Sequence, residues 1–337
     1  MAVLDKIYFR STAEELKSIL QGYKVYVIID RNVEKLYGVS FPFQKVFIDA
    51  VEENKSLLTV QSVIDQLMKM GAGRDCLLLG IGGGIVTDIT SFVAAIYKRG
   101  VKYALIPTTL LSQVDASIGG KTGINSSGYK NIIGVFNRPE FVYLCSMFLR
   151  TLNEEHMLSG AAEMLKIGLI TDASLYRATV EYFTGHHLMD YDTKEDLESL
   201  IMQAVRRKSK LVDEDYKEHG KRRVLNLGHT FAHAIEKCSP TPIPHGSAVS
   251  IGIVMAAGVG ESLGKTKPQF TRRLKADLEA MGLPVSTSID SRTLLEAIGK
   301  DRRFNDNTVD FVIPVKPGSV EIVNLDVDRL RTIVLDI

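Results

Sequence analysis

The sequence predicts two domains of different class: an N-terminal α/β domain with a Rossmann-like parallel sheet, residues 1–148, and a mainly α-helical C-terminal domain, residues 149–337. Three observations lead there. Strand-like apolar runs alternate with amphipathic segments to about residue 148, which is the βαβ rhythm of a parallel sheet. One run, Cys76-Leu-Leu-Leu-Gly-Ile-Gly-Gly-Gly, passes directly into glycines and then a helix-like stretch from Asp88, the strand, turn and helix N-terminus that accepts a pyrophosphate. Beyond Asn153 the rhythm changes to successive helical segments punctuated by Gly or Pro. The 337 residues suffice for two domains that each bury a core.

In the first domain, Lys24–Asp30 (KVYVIID) is a β-rich run ending in an acid, Phe47–Asp49 makes a second short strand, and Leu57–Met70 an amphipathic helix. Gly80, Gly82, Gly83 and Gly84 let backbone N–H groups approach an anion, although the spacing departs from G-x-G-x-x-G and a plain tight turn explains such a cluster about as often. Tyr103–Thr109 is a further strand closing on Pro-Thr-Thr. Asp115, Ser117, Gly119, Gly120, Lys121, Thr122, Gly123 and Asn125 then crowd into one loop, whose hydroxyls, lysine and amides suit phosphate or polyol oxygens.

In the second domain the helical segments are Glu154–Ile170, Ser174–Phe183, Lys194–Val212, Val224–Lys237, Ala248–Leu263 and Gln269–Met281, with a small hairpin over Val309–Val315 and Ser319–Val323. Val224–Gly246 carries three of the seven histidines. His229 and His233, four apart, share a helix face, and the Pro-rich turn after Ser239 swings His245 back over them. Three imidazoles with an upstream carboxylate, Glu163, suit a catalytic divalent metal with one open position. Taken alone, the HxxxH spacing fits capping or core histidines equally well. Glu163 and Lys166 otherwise read as a solvated i,i+3 pair. Lys208, Arg222 and Asn226 lead into the same region, and Cys238 is close enough in sequence to be weighed as a ligand.

Composition narrows the class. A formal net charge of +1 argues against a nucleic-acid or membrane-surface partner. Asp5, Lys6 and Arg10 interrupt the N-terminus, so neither a signal peptide nor a membrane span is expected and the cytoplasm is the expected location. Cys76, Cys145 and Cys238, odd in number and widely spaced, suit reduced thiols.

Seven ordered motifs spanning nearly the whole chain resemble the 3-dehydroquinate synthase family: GGGIVTD (Gly82–Asp88), YKRG (Tyr97–Gly100), IPTTLLSQVDASIGGKTGIN (Ile106–Asn125), YKNIIGVF (Tyr129–Phe136), GAAEMLKIGLI (Gly160–Ile170), LNLGHTFAHAIE (Leu225–Glu236) and HGSAVSIG (His245–Gly252). The resemblance implies an NAD-binding domain, a helical domain carrying zinc or cobalt, a sugar-phosphate substrate and a homodimer. It makes Glu163, His229 and His245 the metal ligands and gives His233 a catalytic role. It assigns NAD to Asp30, Glu52, Lys55, Gly83, Gly84, Asp88, Thr108, Thr109, Lys121, Lys130, Phe148 and Thr151. Substrate falls to Asp115, Lys121, Asn131, Lys166, Lys208, Arg222, Asn226 and His233, with Arg99 reaching phosphate in the neighbouring subunit.

The implied reaction turns 3-deoxy-D-arabino-heptulosonate 7-phosphate into 3-dehydroquinate and phosphate by transient oxidation, elimination, re-reduction and intramolecular aldol closure, with NAD regenerated. The chain departs from the family pattern at Val51, Ala232 and Ser247, and carries Lys300-Asp-Arg-Arg303 where Asp-Lys-Lys is usual; Arg302 or Arg303 then contacts an anion. Three rival readings stand beside this one. They are a cyclase for another sugar phosphate, a metal-dependent polyol or glycerol-phosphate dehydrogenase that accumulates NADH, and a non-catalytic metal-binding protein.

Overall fold

The computed structural model describes residues 2–10, 12, 15–38, 42–185, 194–299 and 308–336. The chain forms two compact units: Met1–Asn153 with Lys208–Asp213, and Glu154–Arg207 with Glu214–Ile337.

The first unit is built on six parallel strands: β1 (Ile7–Arg10), β2 (Lys24–Asp30), β3 (Gln44–Ile48), β4 (Cys76–Gly82), β5 (Lys102–Pro107) and β8 (Phe141–Cys145). They lie in the order β1-β8-β5-β4-β2-β3. All seven residues of β4 are buried, as expected of a central strand covered on both faces. The strand order reverses direction between β2 and β4: β3 continues outward from β2, while β5 and β8 continue from β4. Ligands of doubly wound sheets bind at such a switch point, beyond the carboxyl ends of the strands.

The helices of this unit include α1 (Leu16–Ile19), α2 (Arg31–Tyr37), α3 (Leu57–Lys69) and α4 (Gly84–Ile96). Helix α4 begins four residues before the expected start at Asp88, because glycine turn and helix N-terminus are continuous. A Cβ at Gly82 would lie 2.6 Å from Val86, in the first turn of that helix. A small hairpin absent from the sequence reading, β6 (Ile124–Ser126) and β7 (Tyr129–Ile133), turns through Ser127 and Gly128, both at positive φ, as a two-residue hairpin turn requires.

The second unit is mainly helical: α5 (Glu154–Thr171), α6 (Ala173–Gly185), α7 (Lys194–Glu214, its Lys208–Asp213 stretch grouped with the first unit), α8 (His229–Cys238), α9 (His245–Ser262), α10 (Pro268–Ala280), α11 (Ser291–Gly299) and α12 (Val327–Asp336). The expected hairpin is β9 (Thr308–Lys316) with β10 (Ser319–Asp326), antiparallel, with Gly318 at φ +80° in its turn. Pro314 sits beside the register shift between Ser319 and Val320, where a missing ladder donor is tolerated. Helices α5 and α9 are buried almost all round, so both are core helices of this unit. No helix among the described residues is long and apolar enough to cross a membrane.

Candidate active site

Three glycines let three helices of the second unit come close. Gly246 follows His245, and a Cβ there would lie 2.4 Å from the backbone of Ser159; its N–H donates to Ser159 Oγ at 2.9 Å. Ser159 and Glu163 are four apart on α5 and share a face, so this contact delivers His245 to Glu163. Gly228 precedes His229 and takes a left-handed φ of +79°, which only glycine adopts freely. Its carbonyl oxygen would lie 2.2 Å from a Cβ at Gly252 on α9. That approach brings the N-terminus of α8 against α9.

One donor atom each from Glu163, His229 and His245 lies within 4.8 Å of the others, and among the described residues this is the group able to share an ion. His245 Nε2 stands 3.3 Å and His229 Nε2 3.8 Å from Glu163 Oε1. Two donors bonded to one tetrahedral zinc are about 3.4 Å apart, so the spacing fits. Glu163 is wholly buried, and neither of its oxygens accepts a hydrogen bond of good geometry, although Lys166 Nζ approaches Oε2 to 2.5 Å. A buried carboxylate with open lone pairs aimed at two imidazoles suits a divalent cation.

The electrostatics agree. Burial pushes the Glu163 carboxyl up, but Lys166 and His245 more than reverse this and hold it at about 2. Burial, Lys166 and the other two imidazoles push His229 well below its usual range, so it is neutral and its lone pair is available. Burial opposes charge on His245, yet Glu163 and Glu236 outweigh it and raise the ring to about 10.

His233 stays outside this group. Its ring centroid is 5.5 Å from that of His229, and its side chain is exposed. The residue pattern alone left three imidazoles open as ligands, and the geometry selects two. The sequence reading also put His245 at the end of a return loop; it is the first residue of α9, with Pro244 at the cap position. Cys238 faces Thr293 O at 3.8 Å and is not one of the group. Nearby, Arg222 and Lys166 are buried cations. Asn226 Nδ2 donates to Glu218 Oε1 at 2.7 Å. Glu218 was absent from the sequence reading, and its left-handed φ of +59° marks it. The 219–222 loop is drawn in by Asp215, whose carboxylate accepts the N–H groups of His219, Gly220 and Arg222.

In the first unit the residues expected at NAD gather along one edge of the sheet. Asp30 ends β2, Gly83 and Gly84 follow β4, Thr108 and Thr109 follow β5, and Phe148 and Thr151 follow β8. The strands are parallel, so these are all carboxyl ends. Gly83 caps α4 without a side-chain hydrogen bond, leaving first-turn N–H groups able to meet an anion. Lys55 Nζ bonds Asp88 Oδ2 at 2.6 Å and Asn131 Oδ1 at 2.5 Å. Burial pushes the Asp88 carboxyl up against the opposing pull of Lys55. Asn125 Nδ2 donates to Glu52 Oε1 at 2.7 Å, and its Oδ1 accepts the Asn131 N–H at 2.9 Å, tying the hairpin to the 52–55 turn. Lys121 and Lys130 are exposed.

Three more of the expected site residues are placed by their local structure. Phe148 is 3% exposed, and its ring packs edge-on against that of Tyr37. Asp115 lies in a π-helical turn, Ser112–Ala116, closed by Ser117 N–H to Ser112 O at 3.1 Å, not in an open loop. Its carboxylate accepts from Lys208 Nζ at 2.6 Å. Arg99 sits in the turn before β5, at the opposite edge of the sheet from the NAD set, on a backbone where Lys98 and Arg99 both have positive φ. Arg302 and Arg303 lie outside the described residues, and Ser247 is half-buried in α9.

The profile described as 3-dehydroquinate synthase N-terminal matches residues 45–159, and its C-terminal counterpart matches residues 160–304. The chain belongs to the 3-dehydroquinate synthase family. It is 41% identical to the 3-dehydroquinate synthase of Pyrococcus furiosus, over 94% of this chain and 93% of that one. It is 38% identical to that of Pyrococcus abyssi, over 99% and 100%. The fold is that of 2-epi-5-epi-valiolone synthase from Streptomyces hygroscopicus subsp. jinggangensis, solved with NAD+ and Zn2+ bound. The match has a TM-score of 0.88 at 25% identity, over 98% of this chain and 95% of that one. A 2-deoxy-scyllo-inosose synthase complexed with carbaglucose-6-phosphate, NAD+ and Co2+ shares the fold at TM-score 0.82 and 20% identity, over 98% and 96%.

Proposed function

We propose that this chain is a cytoplasmic 3-dehydroquinate synthase, converting 3-deoxy-D-arabino-heptulosonate 7-phosphate to 3-dehydroquinate and phosphate as a step of the shikimate pathway. One observation carries the reading: a buried carboxylate and two imidazoles on three helices, within 4.8 Å of one another, in a chain of this family. Glu163, His229 and His245 would hold zinc or cobalt, which supplies Lewis acidity toward a substrate hydroxyl. The glycine turn at Gly82–Gly84 and the residues along its sheet edge would hold NAD, which supplies reversible hydride acceptance and leaves no net oxidation.

The chain's own groups fit the rest. Lys166 and Arg222, cations withdrawn from water, would bind the substrate's carboxylate and phosphate by charge-assisted hydrogen bonds, with Asn226 completing the contact. His233, exposed beside His229, would move protons. In the first unit Asp115, Lys121, Asn131 and Lys208 are the groups assigned to substrate. Arg99, turned away from that unit's NAD set, would serve the neighbouring subunit of a homodimer.

The test follows phosphate and NADH absorbance together on purified protein with the heptulosonate phosphate, NAD and Zn2+ or Co2+. Phosphate release without NADH growth, lost on chelation and in His229→Ala, is expected. Steady NADH growth would overturn the reading in favour of a dehydrogenase. Turnover only of another phosphorylated sugar would select a cyclase related to the valiolone synthase.

A further inference from the structure

The two imidazoles of the Glu163 group share a feature on the side away from Glu163. Each has its Nδ1 held by the protein while its Nε2 faces Glu163. His229 Nδ1 lies 3.1 Å from Leu227 O, a backbone carbonyl two residues earlier. His245 Nδ1 lies 3.4 Å from Glu236 Oε1, and the Glu236 side chain is 5% exposed. Glu236 stands on α8 seven residues after His229, two helical turns along the same face. Its carboxylate therefore reaches His245 from the helix that also carries His229.

We propose that Glu236 is a positioning residue that fixes the ring orientation and tautomer of His245 for the divalent ion; this rests on the metal reading above. The physical argument is that an imidazole presents a lone pair on one nitrogen only, and the partner of the other nitrogen decides which. A carboxylate facing Nδ1 keeps the proton there and leaves Nε2, 3.3 Å from Glu163 Oε1, to face the ion. Leu227 O does the same for His229 through an atom that substitution cannot remove. Glu236 is the half of the arrangement that depends on a side chain.

The experiment titrates Co2+ into metal-stripped wild type, Glu236→Ala and Glu236→Gln, reading the dissociation constant and the visible absorption of the bound ion, with unfolding of the metal-free proteins alongside. Glu236→Ala is expected to bind Co2+ roughly 10- to 100-fold more weakly with an altered spectrum. Glu236→Gln, whose amide oxygen still accepts from Nδ1, is expected to recover much of the wild-type affinity and spectrum. Wild-type affinity and spectrum in Glu236→Ala would overturn the proposal while leaving the metal site intact. So would equal loss in both variants with matching loss of metal-free stability, which is the mark of a packing role. A wild type that takes up no Co2+ would overturn the metal reading and this assignment together.

Discussion

Replacing Gly252 by alanine tests whether the glycine contacts set the spacing of the metal ligands. The added Cβ would lie 2.2 Å from Gly228 O and 3.1 Å from Ala232 N. A carbon and a carbonyl oxygen ordinarily approach no closer than about 3.3 Å, so α8 and α9 must separate by roughly 1 Å. Gly228 is rigid backbone at a left-handed φ, which leaves no side chain to swing away. Overpacking of this kind costs about 1–3 kcal/mol, or roughly 2–12 °C in the unfolding midpoint of a unit this size. His229 is the next residue, and a metal site tolerates ligand displacements of only about 0.2 Å. Gly252→Ala should therefore melt earlier without metal and bind Zn2+ or Co2+ at least about tenfold more weakly, by calorimetry and competition with a chromophoric chelator. Unchanged melting and unchanged affinity would refute the argument that helix approach positions the ligands.

Metal uptake should release about one proton per ion between pH 7 and 9, read by calorimetry in buffers of different ionisation enthalpy. The sign follows from the metal-free protein: His245, raised to about 10, carries a proton that the ion displaces, while His229 is already neutral and Glu163, at about 2, already ionised. Release of no proton, or of two, would contradict it. By the same shifts, His245 stabilises the metal-free fold fully below its ordinary value of 6.5, and that contribution is lost as pH rises through about 10. Asp215→Ala should raise KM for the heptulosonate phosphate by about tenfold with kcat nearly kept, because the loop that holds Arg222 loses three backbone hydrogen bonds. A kcat loss with constant KM would contradict that role.

The fold class was readable because its signals are local. Apolar runs at strand length, the glycines after Leu79, and the helical period from Asn153 onward each lie within a few residues of one another. Strand β1 was not readable: Ile7–Arg10 pairs with Phe141–Cys145 across most of the first unit, with no adjacent turn to announce it. The hairpin through Ser127 and Gly128 has a turn signal, but only three residues in its first strand. In the site, His229 and His233 are equivalent by spacing; the family resemblance separated them, and His229 is the one that falls together with Glu163 and His245. Helix α9 starts at His245, three residues before the expected Ala248, and Gly246 lies in its first turn, where a Cβ would meet the Ser159 backbone. Glu236 carried a signal that went unused, since it recurs on the His229 face of α8. The π-helical turn at Asp115 has no counterpart in hydrophobic period at all.

The most direct measurement is anomalous diffraction at the zinc or cobalt absorption edge from crystals of the metal-loaded protein. One peak per chain is expected, bounded by a Glu163 carboxylate oxygen and the Nε2 atoms of His229 and His245. A strongest peak on other side chains, or an empty density among these three in crystals that hold the metal elsewhere, would contradict the account.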